Sequence, residues 1–405
     1  MQINPERLIG DMRELASFGQ YKTGVNRPAF STEDMASRAW LREKMAAGGL
    51  SAVIDDVGNV YGRMDRTSRA ILIGSHSDTV PYGGWLDGSL GVIYALEIAR
   101  CVAESGASTI GVDAISFQDE EGTFLGLLGS RAFCGEDVAG EVAKARAVTG
   151  VPLPGVMADL NLAANPPARL DRARHIAYLE AHIEQGPRLE HVGRQIGVVS
   201  AIVGIKTFRI TFHGEANHAG TTPMEMRRDA GAAALAFGAA FADFVPRHGS
   251  PETVWNVGKV TFQPGAANVV PAAAELIVQI RDASPAVLKE VVYAMSDCVR
   301  ACAARARVTS EIAPLMDTAP AAMDGSLAAL IEQAAGELGA STMSLPSGAG
   351  HDAMVLSRHV PSAMLFVPSI GGRSHHVSED TSEADIVRGA RVLLRAVELV
   401  MSGRT

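Results

Sequence analysis

The most constraining feature of the sequence is a series of short apolar segments, each followed by residues that commonly bind metal ions. Residues 70–73 form an apolar run that leads into His76 and Asp78. A second run, residues 109–116, leads into the adjacent carboxylates Glu120 and Glu121. Buried strands of α/β proteins read as continuous apolar runs, and functional groups collect at their carboxyl ends. The pattern therefore predicts a largely parallel sheet with a polar site at one edge.

Two later segments supply further candidate ligands. His182 closes another apolar strand, and His375 lies near the C-terminus. With Asp87, the candidate ligands are His, Asp and Glu without Cys, a mixture that suits Zn, Mn, Co or Ni. Two ions that share one bridging carboxylate need about this many ligands, with one carboxylate left over as a base. A single His at a strand end is more often structural, so the prediction of a metallohydrolase depends on the whole set.

Neighbouring polar residues predict a division of roles within this set. Asp78 follows His76 by two residues and should lie on the same face of the strand, where a carboxylate can fix the imidazole tautomer. Glu120 and Glu121 are adjacent, and neighbours on a strand point to opposite sides. A turn there can aim one carboxylate at an ion and the other at its bound water.

The motifs together resemble the N-carbamoyl-L-amino-acid hydrolase and allantoate amidohydrolase family, a branch of the dinuclear metallopeptidases and aminoacylases. The resemblance extends over nearly the whole chain in the family's order. It is carried by His76 with Asp87, the Glu120-Glu121 pair, and residues 182–187, 218–224, 347–353 and 372–375. The segment after Gly122 and the His376-Val377 pair depart from the family's usual pattern, which leaves the exact substrate open.

The resemblance implies two divalent metal ions per subunit. His76 and His182 would bind the first ion, Asp87 would bridge both, and Glu121 and His375 would complete the second site. Glu120 would be the general base that takes a proton from the bridging water and returns it to the leaving nitrogen.

The resemblance also implies residues that contact the substrate. Gln185 would hold the ureido end, and Gly372 would lie against the substrate. His218, Asn268 and Arg281 would reach the active site of the other subunit, where Arg281 pairs with the substrate carboxylate. Without the resemblance, a turn His, a turn Asn and a solvated Arg explain these three equally well. His351 and Asp352 either line the site or hold a loop.

The sequence pattern changes near Lys206. Residues 206–318 follow the order β-α-β-β-α-β, which is typical of a ferredoxin-like unit. Candidate ligands lie both before and after this unit, so it is inserted into another domain. We expect an α/β catalytic domain, 1–205 with 319–405, whose mostly parallel sheet is flanked by helices, and an inserted α+β lid, 206–318. The resemblance implies that the lid forms a homodimer.

Composition narrows the class of protein. The net charge of -9 over 405 residues argues against nucleic acid, which requires a basic patch. No run of about 18 apolar residues is present, and the first residues lead into an amphipathic helix rather than a signal peptide. We therefore expect a soluble cytoplasmic protein without a membrane partner. Four buried thiols are expected at Cys101, Cys134, Cys298 and Cys302.

The predicted activity is hydrolysis of a linear C–N bond. N-carbamoyl-L-amino acids are the leading substrates, and would give the L-amino acid, ammonia and carbon dioxide. Allantoate is the alternative, since it also offers a carboxylate and ureido groups. An N-acyl-amino-acid hydrolase or dipeptidase is the third possibility. A metal-binding module without catalysis is disfavoured, because Glu120 and all five ligands are present.

Overall fold

The computed structural model describes residues 1–106 and 109–403 of the chain. Backbone contacts divide it into two compact units: Met1–Ser200 together with the segment from Met323 onwards, and Ala201–Ala322. The sequence predicted divisions after residues 205 and 318.

The first unit contains most of the helices and strands. In chain order, its elements before the second unit are α1 (Pro5–Ser17), β1 (Gln20–Tyr21), β2 (Gly24–Val25), α2 (Thr32–Ala47), β3 (Ser51–Ile54), β4 (Val60–Arg63), β5 (Arg69–His76), α3 (Ser89–Ser105), β6 (Ile110–Phe117), α4 (Leu128–Phe133), α5 (Ala139–Val142), α6 (Leu153–Asp159), β7 (His175–Ile183), α7 (Arg188–Val192) and β8 (Ile196–Ile202).

The second unit and the return to the first complete the chain. The remaining elements are β9 (Gly204–His213), α8 (Ala230–His248), β10 (Val254–Gln263), β11 (Ala273–Asp282), α9 (Pro285–Ala306), β12 (Thr309–Thr318), β13 (Ala321–Ala322), α10 (Gly325–Glu337), β14 (Thr342–Ser347), α11 (Ala353–Leu356), β15 (Ser362–Val367) and α12 (Glu383–Met401).

The larger sheet has the strand order β13-β8-β15-β7-β5-β6-β4-β3, and β14 also pairs with β8. Its four central strands, β15, β7, β5 and β6, are parallel, whereas the outer pairs are antiparallel. The predicted α/β fold with a mostly parallel central sheet is confirmed. Apolar side chains of α1, α3, α10 and α12 pack with the sheet in one continuous core.

Strand register brings the carboxyl ends of the central strands to one edge. His76 pairs with Phe117 across β5 and β6, and His182 pairs with Phe366 across β7 and β15. The loops that follow these strands therefore emerge side by side. This is the edge at which α/β proteins place their functional groups.

The second unit has a four-stranded antiparallel sheet in the order β10-β11-β9-β12. Helices α8 and α9 share a core with this sheet, so the observed unit has the predicted β-α-β-β-α-β order. The first helix begins at Ala230, because Asp229 caps it and the chain before it forms a single 3₁₀ turn at Met224–Met226. Its role as a lid remains a prediction.

Two further predictions concern the surface and the thiols. No helix in the described part of the chain is long and apolar enough to cross a membrane. All four cysteines are free thiols, as expected. Cys101 and Cys302 are buried, whereas Cys134 and Cys298 are only partly buried. The prediction of four buried thiols was thus wrong for two of them, because apolar helix positions in the sequence do not reveal how completely a neighbour covers them.

Candidate metal centre

Six side chains predicted to form the centre gather at the carboxyl edge of the parallel strands. Their ligand atoms lie within 4.8 Å of one another in three overlapping groups: His76 with Asp87 and His182, His76 with Glu120 and Glu121, and Asp87 with Glu121 and His375. The structure thus brings together every residue of the predicted ligand set and the predicted base.

Asp87 lies at the centre of this cluster. Its Oδ1 is 3.1 Å from His182 Nε2 and 3.8 Å from His76 Nε2. Its Oδ2 is 3.1 Å from His375 Nε2. Each oxygen therefore faces different histidines, as a carboxylate that bridges two ions requires.

The turn after β6 sends the two adjacent glutamates in different directions. Glu121 Oε1 is 3.6 Å from His375 Nε2, and Glu120 Oε2 is 3.5 Å from His76 Nε2. Asp119 shapes this turn, since it has a φ of 57° and its carboxylate accepts hydrogen bonds from two backbone N–H groups of the following loop. The two carboxylates are thereby placed beside different histidines.

Burial and mutual charge shift the pKa values in the cluster. Burial, with the neighbouring carboxylates, raises the pKa of Glu120 and Glu121 well above the usual range. Burial lowers the pKa of His76 to about 4. Burial opposes charge on Asp87 and His182 as well. The contact between the two side chains outweighs this effect of burial. It holds the pKa of Asp87 well below its usual value and raises the pKa of His182 to about 9.

These shifts describe a donor set that suits divalent cations. Crowded, desolvated carboxylates repel one another, and a cation relieves that repulsion. Moreover, Glu121 Oε1 is buried and accepts no hydrogen bond from the residues that the structure describes. His375 is half exposed whereas His182 is 1% exposed at its side chain, so the cluster opens to solvent on the His375 side.

Backbone carbonyls orient the two buried histidines. His76 Nδ1 is 3.0 Å from the Asp78 carbonyl, and His182 Nδ1 is 2.9 Å from the Ile183 carbonyl. These contacts favour a hydrogen on Nδ1 and leave Nε2 to face the cluster. The sequence predicted that the Asp78 carboxylate would do this for His76. Because the chain turns after β5, Asp78 Oδ1 is instead 3.8 Å from His76 Nδ1. Asp78 Oδ2 accepts a hydrogen bond from Glu121 N at 3.3 Å.

Gly88 allows the close approach of His76 to the loop that carries Asp87. Its φ is 63°, and a Cβ at this position would lie 2.4 Å from His76 Nε2. A larger residue would therefore both strain the backbone and displace the imidazole.

Gln185 and Gly372 lie near the exposed side of the cluster. Gln185 Nε2 donates to Asp87 Oδ2 at 3.0 Å, and its backbone N donates to Ser369 Oγ at 3.1 Å. Gly372 has a φ of 63°, and a Cβ there would lie 2.7 Å from Pro187. The turn that contains Gly372 is thus packed against the segment after Gln185. Their contacts with substrate remain predictions.

His351 is buried beside the predicted ligand His182. Their ring centroids are 4.5 Å apart, and His351 Nε2 is 2.8 Å from Ser347 Oγ. Asp352 is also buried. His351 therefore contacts the cluster through His182, and its contact with substrate remains a prediction.

His218 and Asn268 are neighbours in the second unit. His218 forms a β-bridge with Val269, and the N–H of Ala219 donates to the Asn268 carbonyl at 2.9 Å. Both residues lie in loops beyond the end of β11 that begins at Ala273. They can therefore act together.

Arg281 lies at the opposite end of the same strand. It pairs with Ile205, at the end of the sheet where the chain enters and leaves the unit. Since β11 has 10 residues, its two ends are about 30 Å apart. Within one chain, an amino-acid-sized substrate cannot span that strand, so how His218, Asn268 and Arg281 reach an active site remains a prediction.

Sequence reasoning missed two buried groups that contact the ligand-bearing segments. The Glu379 carboxylate accepts a hydrogen bond from Asp87 N at 3.0 Å. The Arg38 guanidinium donates to the Phe117 carbonyl, at the end of β6, at 3.0 Å. The position of Glu379, four residues after His375, was a weak signal in the sequence. Arg38 gave no signal in the sequence, since an Arg on an amphipathic helix is normally exposed.

Comparisons with known proteins agree with this fold. A family model described as peptidase family M20/M25/M40 matches residues 72–399. An N-carbamoyl-L-amino-acid amidohydrolase of Paenarthrobacter aurescens is 34% identical, with 97% of each chain covered. An allantoate amidohydrolase of Escherichia coli is also 34% identical, with 94% of each chain covered. The crystal structure of an amidase of the hydantoinase/carbamoylase family from Burkholderia phymatum is 44% identical with a TM-score of 0.91, covering 100% of this chain and 99% of its own.

The chain therefore belongs to the M20/M25/M40 peptidase family, and within it resembles the carbamoylase and allantoate amidohydrolase branch. The resemblance predicted from the motifs is confirmed. The family also confirms the predicted class of enzyme, a metal-dependent hydrolase that acts on amide C–N bonds.

Proposed function

We propose that this protein is a dinuclear-metal amidohydrolase that cleaves the ureido C–N bond of N-carbamoyl-L-amino acids. The observation that carries the proposal is the position of Asp87, whose two oxygens face different histidines while Glu120 lies beside the same cluster. Allantoate is the second candidate substrate, because the relatives that act on it match this chain as well as the carbamoylases do.

The ligand assignment follows from the two sides of Asp87. We assign His76, His182 and Asp87 to one ion, and Asp87, Glu121 and His375 to the other. Zn, Mn, Co and Ni all suit these nitrogen and oxygen donors. When bound, the two ions supply Lewis-acid polarisation of the substrate carbonyl and lower the pKa of water.

Glu120 is the proton carrier in this proposal. Burial and the neighbouring carboxylates raise the pKa of Glu120, so the ionised carboxylate has a high affinity for the proton of the attacking water. It then returns the proton to the leaving nitrogen as the C–N bond breaks. Water adds to the ureido carbon, and breakage of one C–N bond leaves a carbamic acid. The carbamic acid loses carbon dioxide as its remaining C–N bond breaks, so the final products are the amino acid, ammonia and carbon dioxide.

We propose that two chains contribute to the recognition of each substrate molecule, one through the Arg281 end of β11 and the other through the opposite end. Arg281 lies about 30 Å along β11 from His218 and Asn268, so we assign it to a different active site from theirs, that of its own chain. There it would pair with the substrate carboxylate. His218 and Asn268 lie at the far end and are assigned to the partner's active site in a homodimer. Gln185 would hold the ureido group.

A side-by-side substrate panel tests the proposed function. We expect ammonia release from N-carbamoyl-L-methionine to exceed that from allantoate, and both to exceed amine release from N-acetyl-L-methionine. The D-isomer of the carbamoyl substrate is the matched control. If allantoate were cleaved faster than any N-carbamoyl-L-amino acid offered, the second candidate would replace the first.

Removal of metal should abolish activity. Chelation followed by dialysis should give inactive protein, which Mn, Co, Ni or Zn restores, because each ion is held only by the folded donor set. His76→Ala and His375→Ala should each lower the bound metal by about one ion per chain, measured by elemental analysis. His213→Ala, an exposed residue of β9, is the control and should keep both ions. Full activity in protein proven free of metal would refute the mechanism.

A further inference from the structure

Glu379 connects two segments that carry candidate ligands. It is 1% exposed and lies in the loop between β15 and α12. Its Oε1 accepts hydrogen bonds from Leu86 N at 3.1 Å and Asp87 N at 3.0 Å. Its Oε2 accepts a hydrogen bond from Ser374 Oγ at 2.9 Å. One carboxylate thus ties the backbone of Asp87 to the residue that immediately precedes His375.

Gly84 shows how closely this carboxylate fits its surroundings. A Cβ on Gly84 would lie 1.9 Å from both Cδ and Oε1 of Glu379. The φ of Gly84 is not positive, so the glycine provides space and not an unusual backbone angle. Any side chain there would have to displace Glu379.

The same short network reaches the carboxylate of Asp87. Ser374 Oγ is 3.3 Å from Asp87 Oδ2, the oxygen that lies 3.1 Å from His375 Nε2. Ser374 has one hydroxyl hydrogen, and its shorter contact is with Glu379. Glu379 therefore fixes Asp87 directly through its backbone and fixes the His375 segment through Ser374.

We propose that Glu379 is a positioning residue that holds Asp87 and His375 at the separation which two divalent cations require. This inference rests on the metal centre of the proposed function. Groups that orient metal ligands commonly change metal affinity about 10- to 100-fold when they are removed. Glu379 accepts hydrogen bonds from Leu86 N, Asp87 N and Ser374 Oγ, so its effect should appear in metal binding before any substrate is present.

Titration of apo-protein with Co²⁺, followed by the visible absorption of the bound ion, tests the proposal. Glu379→Ala should weaken Co²⁺ binding about 10- to 100-fold, because Leu86 N and Asp87 N lose their acceptor and Ser374 is released. Glu379→Gln should bind nearly as wild type, since the amide oxygen can accept both N–H groups and the amide nitrogen can donate to Ser374 Oγ. Gly84→Ala should resemble Glu379→Ala.

A buried carboxylate elsewhere provides the matched control. Glu97 on α3 is also 1% exposed and pairs with Arg7 at 2.7 Å. Glu97→Ala should lower the Tm of the apo-protein but leave Co²⁺ affinity unchanged, which separates loss of stability from loss of positioning.

Three results would overturn the proposal. Wild-type affinity in Glu379→Ala would show that the network does not position the ligands. Equal weakening in Glu379→Gln and Glu379→Ala would show that hydrogen-bond geometry is not what the centre needs. Absence of Co²⁺ binding by the wild-type apo-protein would refute the metal centre itself, whereas the first two results leave the proposed function standing.

Discussion

Glu120→Gln should retain both metal ions and lose about 10²- to 10⁴-fold in kcat. The amide keeps the size of the side chain but cannot take a proton from water at neutral pH. Glu120 Oε2 lies 3.5 Å from His76 Nε2, so its carboxylate is close enough to the cluster to take a proton from a water that metal ions bound there would hold. Metal analysis beside steady-state kinetics measures both parts of the prediction.

Two further variants decide how this result is interpreted. Glu121→Gln should lose metal as well as activity, since Glu121 is assigned as a ligand. Glu184→Gln is the control, because Glu184 caps α7 through Arg188 N and Leu189 N and has no assigned role in the reaction. Near-normal turnover of Glu120→Gln would remove Glu120 as the base, and loss of an ion from that variant would make it a ligand.

The parallel core could be predicted because buried strands leave a strong signal. The run at residues 70–73 became the interior of β5, and the run at 109–116 became most of β6. Both strands are buried along nearly their whole length, which is why most of their positions are apolar. Their parallel pairing then followed from the long helical connection between them.

The candidate ligands could be predicted because strand ends are easy to locate and metal ligands come from few residue types. His76 and His182 lie at strand ends, as expected. The support around them was harder to predict. Neither the role of the Asp78 carbonyl at His76 nor that of Glu379 at Asp87 leaves a pattern in the sequence. Such contacts depend on loop conformation, which periodicity does not report.

The second unit shows a different limit. Alternating polarity in residues 206–213 predicted β9 well, because one face of an antiparallel strand packs on the core and the other faces water. Sequence order alone did not show that His218 and Arg281 lie at opposite ends of β11. The separation can be recognised only from the register of strand pairing. It decides how His218 and Arg281 are divided between the two chains of the proposed dimer.

Subunit mixing should reveal this shared site. Arg281→Ala should raise KM strongly, since a charged bidentate hydrogen bond contributes about 1.5–3 kcal/mol. A raised KM lowers the rate only at low substrate concentration, so activity is assayed far below KM. His218→Ala and Glu120→Gln should also be nearly inactive. If His218 serves the partner's active site, a mixed dimer of His218→Ala with Glu120→Gln contains one complete site. Random exchange at equal concentrations should then restore about a quarter of the wild-type activity.

The pattern of recovery among three pairs distinguishes the arrangements. His218→Ala should restore activity when mixed with either Glu120→Gln or Arg281→Ala, because each of those chains can donate a native His218. Glu120→Gln mixed with Arg281→Ala should stay inactive, since both residues are assigned to the active site of their own chain. Exchange is verified by mass in every mixture. Recovery in the Glu120→Gln and Arg281→Ala pair would instead place Arg281 in the partner's site, with His218 beside it if the His218→Ala and Glu120→Gln pair also recovers. No recovery in any exchanged mixture would show that each chain works alone.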